Sequence, residues 1–260
     1  MNLTIDTERF GGLGRLYGRE SLERLARAHV AIIGVGGVGS WIAEALARSG
    51  VGRLTLIDMD DICITNTNRQ LPALDGEIGR LKVEVIAERM RRINPGCCVD
   101  AVPEFLTEGS ADRLLAPAYD WVVDAVDRMS IKALIIAKAC ERKMSVLTVG
   151  GAGGRCDPTQ VRVADLARTG GDALLRQVRR DLRRTYGWAS GAGNEYGVPA
   201  VYSAEPQRFP WDDGSVCAEP EPGSNLRMDC ASGYGAACFV TGTFGFVAAG
   251  EIVRRVSEGR

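Results

Sequence analysis

The chain has a single histidine, His29, and no CxxC pair among its eight cysteines at 63, 97, 98, 140, 156, 217, 230 and 238. One imidazole just before an apolar strand nearly excludes histidine-based triads and histidine metal clusters. Structural zinc needs clustered thiolates or imidazoles, so no zinc site is expected. An excess of charge of one sign is also missing: 32 Lys and Arg against 33 Asp and Glu leave a formal net charge of -1, and total charge points to no partner. The opening MNLTIDTERF has no basic region followed by an apolar stretch, which argues against a secretory or transit signal. A cytoplasmic chain with reduced thiols is the expectation. Internal repeats and low-complexity segments are absent.

What is present is an alternation. GRESLERLARA (residues 18–28) has apolar residues at helical spacing. HVAIIGVGGVGSWIAEALARSG then passes from a β-branched run through a glycine cluster into a helical pattern, and RLTLIDMD is the next strand. Strand, glycine turn, helix and strand make a βαβ unit, whose parallel pairing implies a Rossmann-like, doubly wound, mainly parallel α/β sheet. KVEVIAERMRRINPG reads as a helix, CCVDAV as a strand and EGSADRLL as a capped helix. WVVDAVD reads as a strand ending in acid, IKALIIAKACERK as a helix, and SVLTVGGAGG as a strand entering a second glycine turn. The whole of 1–260 is expected to form one unit, with a nucleotide-binding core at about 9–165 and a C-terminal extension at about 166–260 for substrate and dimer contacts.

In that extension, residues 172–186 set Leu174, Leu175, Val178 and Leu182 among five arginines, a basic amphipathic helix. Its Arg176, Arg180, Arg183 and Arg184 suit either nucleic-acid phosphate or plain solvent. Residues 187–225 read as loops, with AVYSAE a possible strand. ASGYGAACFVTGTFGFVAAGEIV (231–253) has membrane-like length, but it is rich in Gly and Ala and lacks basic flanks on its amino side. A buried core or subunit interface is expected there, with no membrane insertion.

Gly34, Gly36, Gly37 and Gly39 can bring backbone amides and a helix amino terminus to phosphate. Asp58 stands where a carboxylate accepts hydrogen bonds from ribose hydroxyls. These features specify an adenine nucleotide without separating NAD from ATP. The separation comes from DMDDICITNTNRQL: Arg69 follows Asp58 closely and Lys82 lies on the next element, so two cations converge on a nucleotide held by one glycine turn. NAD needs one pyrophosphate cradled, whereas ATP cleavage also needs charge neutralised on a leaving pyrophosphate. Asp127, at the end of the WVVDAVD strand, adds a hard oxygen ligand suited to magnesium held jointly with phosphate.

GVGGVGS, LIDMDDICITNTNRQL, GRLKVE and VVDAVDR together resemble the adenylating domain shared by ubiquitin-activating enzymes and the molybdopterin and thiamine activating enzymes, over roughly residues 9–155. That resemblance implies ATP contacts from Asp58, Asn66, Arg69 and Lys82, Mg2+ held by Asp127, and attack of a carboxylate on the α-phosphate to give an acyl adenylate. RFGGLGRLYG, TNTNRQ, GGAGGRCDPTQV, RMDCASGYGAA and TFGFVAAGE resemble, over nearly the whole chain, the bacterial tRNA threonylcarbamoyladenosine dehydratases. Such enzymes use ATP to activate the threonylcarbamoyl carboxylate on adenosine 37 of certain tRNAs, after which the modification's own carbamoyl group closes a ring and expels AMP. The resemblance implies a homodimer and an associated cysteine desulfurase system.

The chain departs from its relatives in two places. The paired CxxC zinc ligands of the molybdopterin and thiamine enzymes are missing, which favours the dehydratase branch. The Arg-Tyr-x-Arg opening, whose second arginine reaches the partner subunit's ATP, has Gly12 at that place, leaving Arg9 and Arg15 as alternative substitutes. Cys230 is either a structural thiol, the favoured reading because cyclisation supplies its own nucleophile, or an acyl acceptor as in ubiquitin activation. The rival readings are a sulfur-carrier-activating enzyme, a nucleotide-binding scaffold without turnover, and a Rossmann dehydrogenase.

Overall fold

The expected alternation of strand and helix is realised in a computed structural model that describes residues 6–189, 193, 195–223 and 234–259. In chain order the elements are α1 (Thr7–Tyr17), α2 (Arg19–Arg27), β1 (His29–Ile33), α3 (Gly39–Arg48), β2 (Arg53–Ile57), α4 (Lys82–Ile93), β3 (Cys98–Val102), α5 (Glu108–Leu114) and β4 (Trp121–Asp124). There follow α6 (Met129–Glu141), β5 (Ser145–Val149), β6 (Val161–Asp165), α7 (Ala173–Tyr186), β7 (Pro199–Ser203), a small hairpin of β8 (Phe209–Pro210) and β9 (Val216–Cys217), and α8 (Cys238–Ser257).

The seven-stranded sheet has the order β3-β2-β1-β4-β5-β7-β6. Every pairing is parallel except β6 with β7, which is antiparallel at the edge. In β1 the side-chain alternation of a strand divides the molecule into two layers. Val30 and Ile32 pack with α3, α4 and α8 on one face. Ala31 and Ile33 pack with α5, α6 and α7 on the other. Covering on both faces is why β1, β2 and β4 read as continuous apolar runs.

Three differences from the sequence reading have physical reasons. α1 was not anticipated, since Gly11, Gly12 and Gly14 lower helix propensity. It is capped by the Asp6 carboxylate, which accepts the Arg9 N–H at 2.9 Å, and it is anchored by buried Phe10 lying over Gly50. β6 is also not read as a strand from the sequence, because VRVAD is short and lies at the sheet edge with none of its residues fully buried. β4 ends at Asp124, three residues before Asp127. The apolar 231–253 stretch enters α8, whose Val240, Phe244, Ala248 and Ile252 are fully buried. Gly245 lets α8 approach α3 so closely that a Cβ there would lie 2.6 Å from the Trp41 Cβ. No helix among the described residues is long and apolar enough to cross a membrane.

Candidate active site

Between β1 and β4 the strand order reverses, and the crevice outside their carboxyl ends is where a doubly wound sheet receives ligands. The turn from β1 to α3 occupies it. Gly34 has φ +87°, and a Cβ there would lie 2.8 Å from the Ala125 carbonyl oxygen; one at Gly39 would lie 1.9 Å from the Gly34 oxygen. These two glycines are required by packing. Gly36 and Gly37 differ: their nearest neighbours would be Gln70 Nε2 at 3.7 Å and the Arg69 side chain at 3.5 Å, ordinary contact distances. The α3 amino terminus has no side-chain cap, and the amides of Gly36, Gly37 and Val38 have no hydrogen-bond partner among the described residues. Unpaired amides at a helix amino terminus, floored by glycine, form a cradle for an anion.

The residues around this cradle come from the chain after β2. Asp58 is buried; one carboxylate oxygen accepts the Val35 N–H at 2.7 Å and the other the Asp60 N–H at 2.9 Å. Burial pushes its pKa up, outweighing the pull of Lys82 and of the two amide donors. Lys82, the first residue of α4, is buried with Nζ 2.7 Å from the Asp60 carboxylate. Arg69 lies partly buried against Gly37, donating to the Thr65 carbonyl and the Asn68 side chain, each at 3.0 Å. Its own carbonyl accepts hydrogen bonds from Trp41 Nε1 at 3.1 Å and Thr241 Oγ1 at 3.3 Å. Buried Asn66 uses its side-chain oxygen to accept the Cys63 N–H, shaping the 3-10 turn Ile64–Asn66, and its carbonyl accepts the Arg69 N–H at 3.0 Å. Gln70 is buried beside Gly36 with its side-chain oxygen unpartnered.

Asp127 is exposed, two residues beyond the Ala125 that backs onto the glycine turn, and its carboxylate has no partner among the described residues. No group of three or more His, Cys, Asp or Glu gathers among the described residues. A lone exposed carboxylate at this edge fits an ion that takes one protein ligand and completes its shell with phosphate and water, as magnesium does.

Other sequence candidates lie elsewhere. Arg9 is paired with Asp6 at 3.1 Å and donates to the Ile93 carbonyl at the end of α4, on the opposite edge of the sheet from its own chain's cradle. Arg15 is exposed on α1. Arg176, Arg180, Arg183 and Arg184 are exposed on α7, whereas Arg179 turns inward to the Leu166 carbonyl. His29 begins β1 at the opposite edge, 2.8 Å from Thr55 Oγ1 and edge-on to Tyr119; burial lowers its pKa. Cys230 lies outside the described residues.

Sequence reasoning assigned no role to Asp60, Gln70, Asp124 or Lys132. The available signal for the last was a lysine inside the apolar stretch SIKALIIAKACE, where a cation is buried only with a partner.

The ThiF family model matches residues 12–258. A tRNA threonylcarbamoyladenosine dehydratase of Haemophilus influenzae is 48% identical over 250 residues, covering 96% of this chain and 93% of that protein. The protein of the same name from Escherichia coli K12 is 47% identical with the same coverage. Among solved structures, the E. coli tRNA N6-threonylcarbamoyladenosine dehydratase TcdA in complex with ATP aligns with a TM-score of 0.86 at 42% identity, covering 98% of both chains. A structure named TcdA (CsdL) aligns with a TM-score of 0.89 at 45% identity, covering 97% of this chain and 95% of that one. With a family match over nearly its whole length and relatives this similar end to end, the chain belongs to the ThiF family.

Proposed function

We propose that the protein is an ATP-dependent tRNA threonylcarbamoyladenosine dehydratase. The observation that carries this reading is the near-full-length similarity to proteins of that name, because the glycine cradle alone would serve any adenylating enzyme. The relative solved in complex with ATP supports ATP as the nucleotide.

The ionised Asp58 accepts hydrogen bonds from the ribose hydroxyls, and the amides of Gly36, Gly37 and Val38 receive phosphate, with Gly34 and Gly39 holding the turn. Asn66 fixes the turn that carries Arg69. The substrate's threonyl carboxylate attacks the α-phosphate, forming an acyl–phosphate bond and breaking the bond to pyrophosphate. Arg69 and Lys82 oppose the charge that develops on the transferred and departing groups, and preorganised cations do so without reorganising at the moment of reaction. Lys82 exchanges the Asp60 carboxylate for phosphate oxygen when nucleotide arrives. Magnesium, when bound with ATP, would shield phosphate charge, and Asp127 would hold it. The carbamoyl group then attacks the activated carbonyl, closes the ring and expels AMP, so one carboxylate oxygen leaves with AMP and one water is lost overall. No protein nucleophile enters, and Cys230 has no covalent role.

In the same reading the region after residue 165 contributes substrate and dimer contacts. Arg176, Arg180, Arg183 and Arg184 meet tRNA phosphate, which makes affinity fall with salt. The protein acts as a cytoplasmic homodimer, with Arg9 or Arg15 reaching the other subunit's ATP, and a cysteine desulfurase system is an associated partner.

The test is mass spectrometry of nucleosides from threonylcarbamoyladenosine-bearing tRNA incubated with protein, ATP and magnesium, beside Lys82→Ala. Loss of one water from the modified nucleoside, absent in the variant, is the expected result. An unchanged mass while ATP still binds would sink the assignment and direct attention to sulfur-carrier proteins as substrates.

A further inference from the structure

We propose that Asp124, Lys132 and Thr148 are positioning residues that set the path of the chain into Asp127 and back the phosphate-binding turn; the magnesium part of this inference rests on the reading of Asp127 given above. Asp124 and Lys132 are both fully buried, with Lys132 Nζ 2.9 Å from the Asp124 carboxylate. The same carboxylate oxygen accepts the Thr148 hydroxyl from β5 at 2.6 Å. Lys132 also donates to the Val126 carbonyl at 3.0 Å and reaches the Asp124 carbonyl at 3.5 Å. The second carboxylate oxygen faces the Val126 N–H at 3.4 Å. The partners of this cation are therefore the side chain and carbonyl of Asp124 and the carbonyl of Val126, two of the three residues immediately before Asp127.

Opposite this grip stands the glycine turn. The Ala125 N–H donates to the Ile33 carbonyl at 2.9 Å, its carbonyl lies where a Gly34 Cβ would collide, and its own Cβ would be 3.5 Å from one built on Gly39. Residues 124–126 are thus fixed between Lys132 on one side and the nucleotide cradle on the other, and Asp127 emerges from that fixed point into solvent.

Stability does not explain this arrangement well. A buried ion pair is commonly matched or bettered by apolar residues of the same volume. Buried Ala133, Leu134, Ile135 and Ile136 show that α6 packs apolar side chains around Lys132. Two charges on separate elements do what an apolar pair could not: the ammonium donates to backbone carbonyls while the carboxylate holds it and faces the Val126 N–H, and together they define one path for the turn. A carboxylate that is to act as an ion's sole protein ligand needs such support, because outer residues orient the ligating ones.

The test compares the parent with Asp124→Asn/Lys132→Met, which keeps volume without charge, with the milder Thr148→Val, and with Asp127→Asn. Thermal melting checks folding, hydrogen–deuterium exchange follows the amides of residues 125–128, and a fluorescent ATP analogue is titrated with and without Mg2+. We expect faster exchange at 125–128 in both clamp variants, near-parental analogue affinity without Mg2+, and a Mg2+ requirement raised about tenfold in the double variant, approaching that of Asp127→Asn. Parental exchange in folded variants overturns the positioning role. Faster exchange with an unshifted Mg2+ requirement, while Asp127→Asn does shift it, overturns the link to the metal. If Asp127→Asn leaves the requirement unchanged, the metal reading of Asp127 fails and the link with it, while the exchange result still decides whether the clamp sets the turn.

Discussion

Two glycine-rich turns leave the carboxyl edge of the sheet, one after β1 and one after β5, and only the first is open. After β1, the amides of Gly36, Gly37 and Val38 are unpaired among the described residues and the space above Gly36 and Gly37 is bounded by Gln70, Arg69 and Thr241 at ordinary contact distances. After β5, the protein itself occupies its turn. The Gly151 N–H is donated to Asp172 at 3.0 Å, and a Cβ at Gly150 would lie 2.3 Å from that same carboxylate. Gly154 exchanges backbone bonds with Gly235 and Arg208, and the Cys156 and Asp157 amides are donated to Glu205. An anion offered to the second turn would meet paired amides at Gly150, Gly151, Gly154, Cys156 and Asp157 and two carboxylates, Asp172 and Glu205, beside the buried Arg155. Glycine density in a sequence therefore marks where the backbone approaches something closely; whether that something is ligand or protein depends on which groups the rest of the chain packs against the turn.

The widest separation between the turns should come from adding one methyl group to each. At Gly37 a Cβ meets Arg69 at an ordinary 3.5 Å, so Gly37→Ala should fold, yet the methyl takes phosphate's place. Overpacking of this kind costs about 1–3 kcal/mol, or roughly 5- to 150-fold in ATP affinity. Gly151→Ala, where nothing lies within 4 Å, should leave affinity at the parental value. Isothermal titration of both variants decides it, and equal losses would erase the distinction between the turns.

A smaller effect should follow from Asp58, the acid belonging to the open turn. Its folded pKa is raised, so its contribution to stability is present at pH below the unfolded value and lost as pH rises through the folded one. Ligand binding runs the other way if Asp58 holds ribose as proposed, because the ionised form would accept the hydroxyls. ATP affinity should therefore fall on acidification before an ordinary aspartate would titrate. Asp58→Asn should bind about tenfold more weakly near neutrality, the worth of a charge-assisted hydrogen bond, and show no such acid limb. Affinity measured across the acid range would refute the assignment if both proteins tracked pH alike.

The smallest effect belongs to the closed turn. Asp172 caps α7 through the Leu175 N–H at 2.9 Å while also holding Gly151. Asp172→Ala should lower stability by about 0.5–2 kcal/mol in urea unfolding, the usual loss for a helix cap. ATP affinity should be unmoved; a marked loss would give the second turn a part in nucleotide binding.

Much of this was legible in the sequence where periodicity was strong. The βαβ unit, β4, β5 and the helices α4, α6 and α7 are carried by uninterrupted apolar patterns, and the glycines, Asp58, Arg69 and Lys82 converge because the turn and crossover bring them to one edge. Asp127 lies three residues beyond its strand, since VVDAVD continues to look like a strand after the ladder has ended, the last backbone bond being that of the Ala125 N–H to Ile33. The Lys132–Asp124 pair was invisible because an acid ending one strand and a lysine on the next helix carry no spacing rule; only the three-dimensional approach makes them partners. Which glycine turn was open could not be read either, because Asp172 and Glu205, which fill the second, lie far along the chain.

The bonds that hold Arg69 reach further than the crevice. Its carbonyl is grasped by Trp41 and by Thr241, and Trp41 in turn is pressed by Gly245 of the same late helix. During synthesis the glycine turn, Asp58, Arg69 and Lys82 emerge from the ribosome long before α8, so a nascent chain that has just completed β5 possesses these residues but lacks the helix whose Thr241 grasps the arginine carbonyl. The seat of Arg69 is thereby completed only with the arrival of α8.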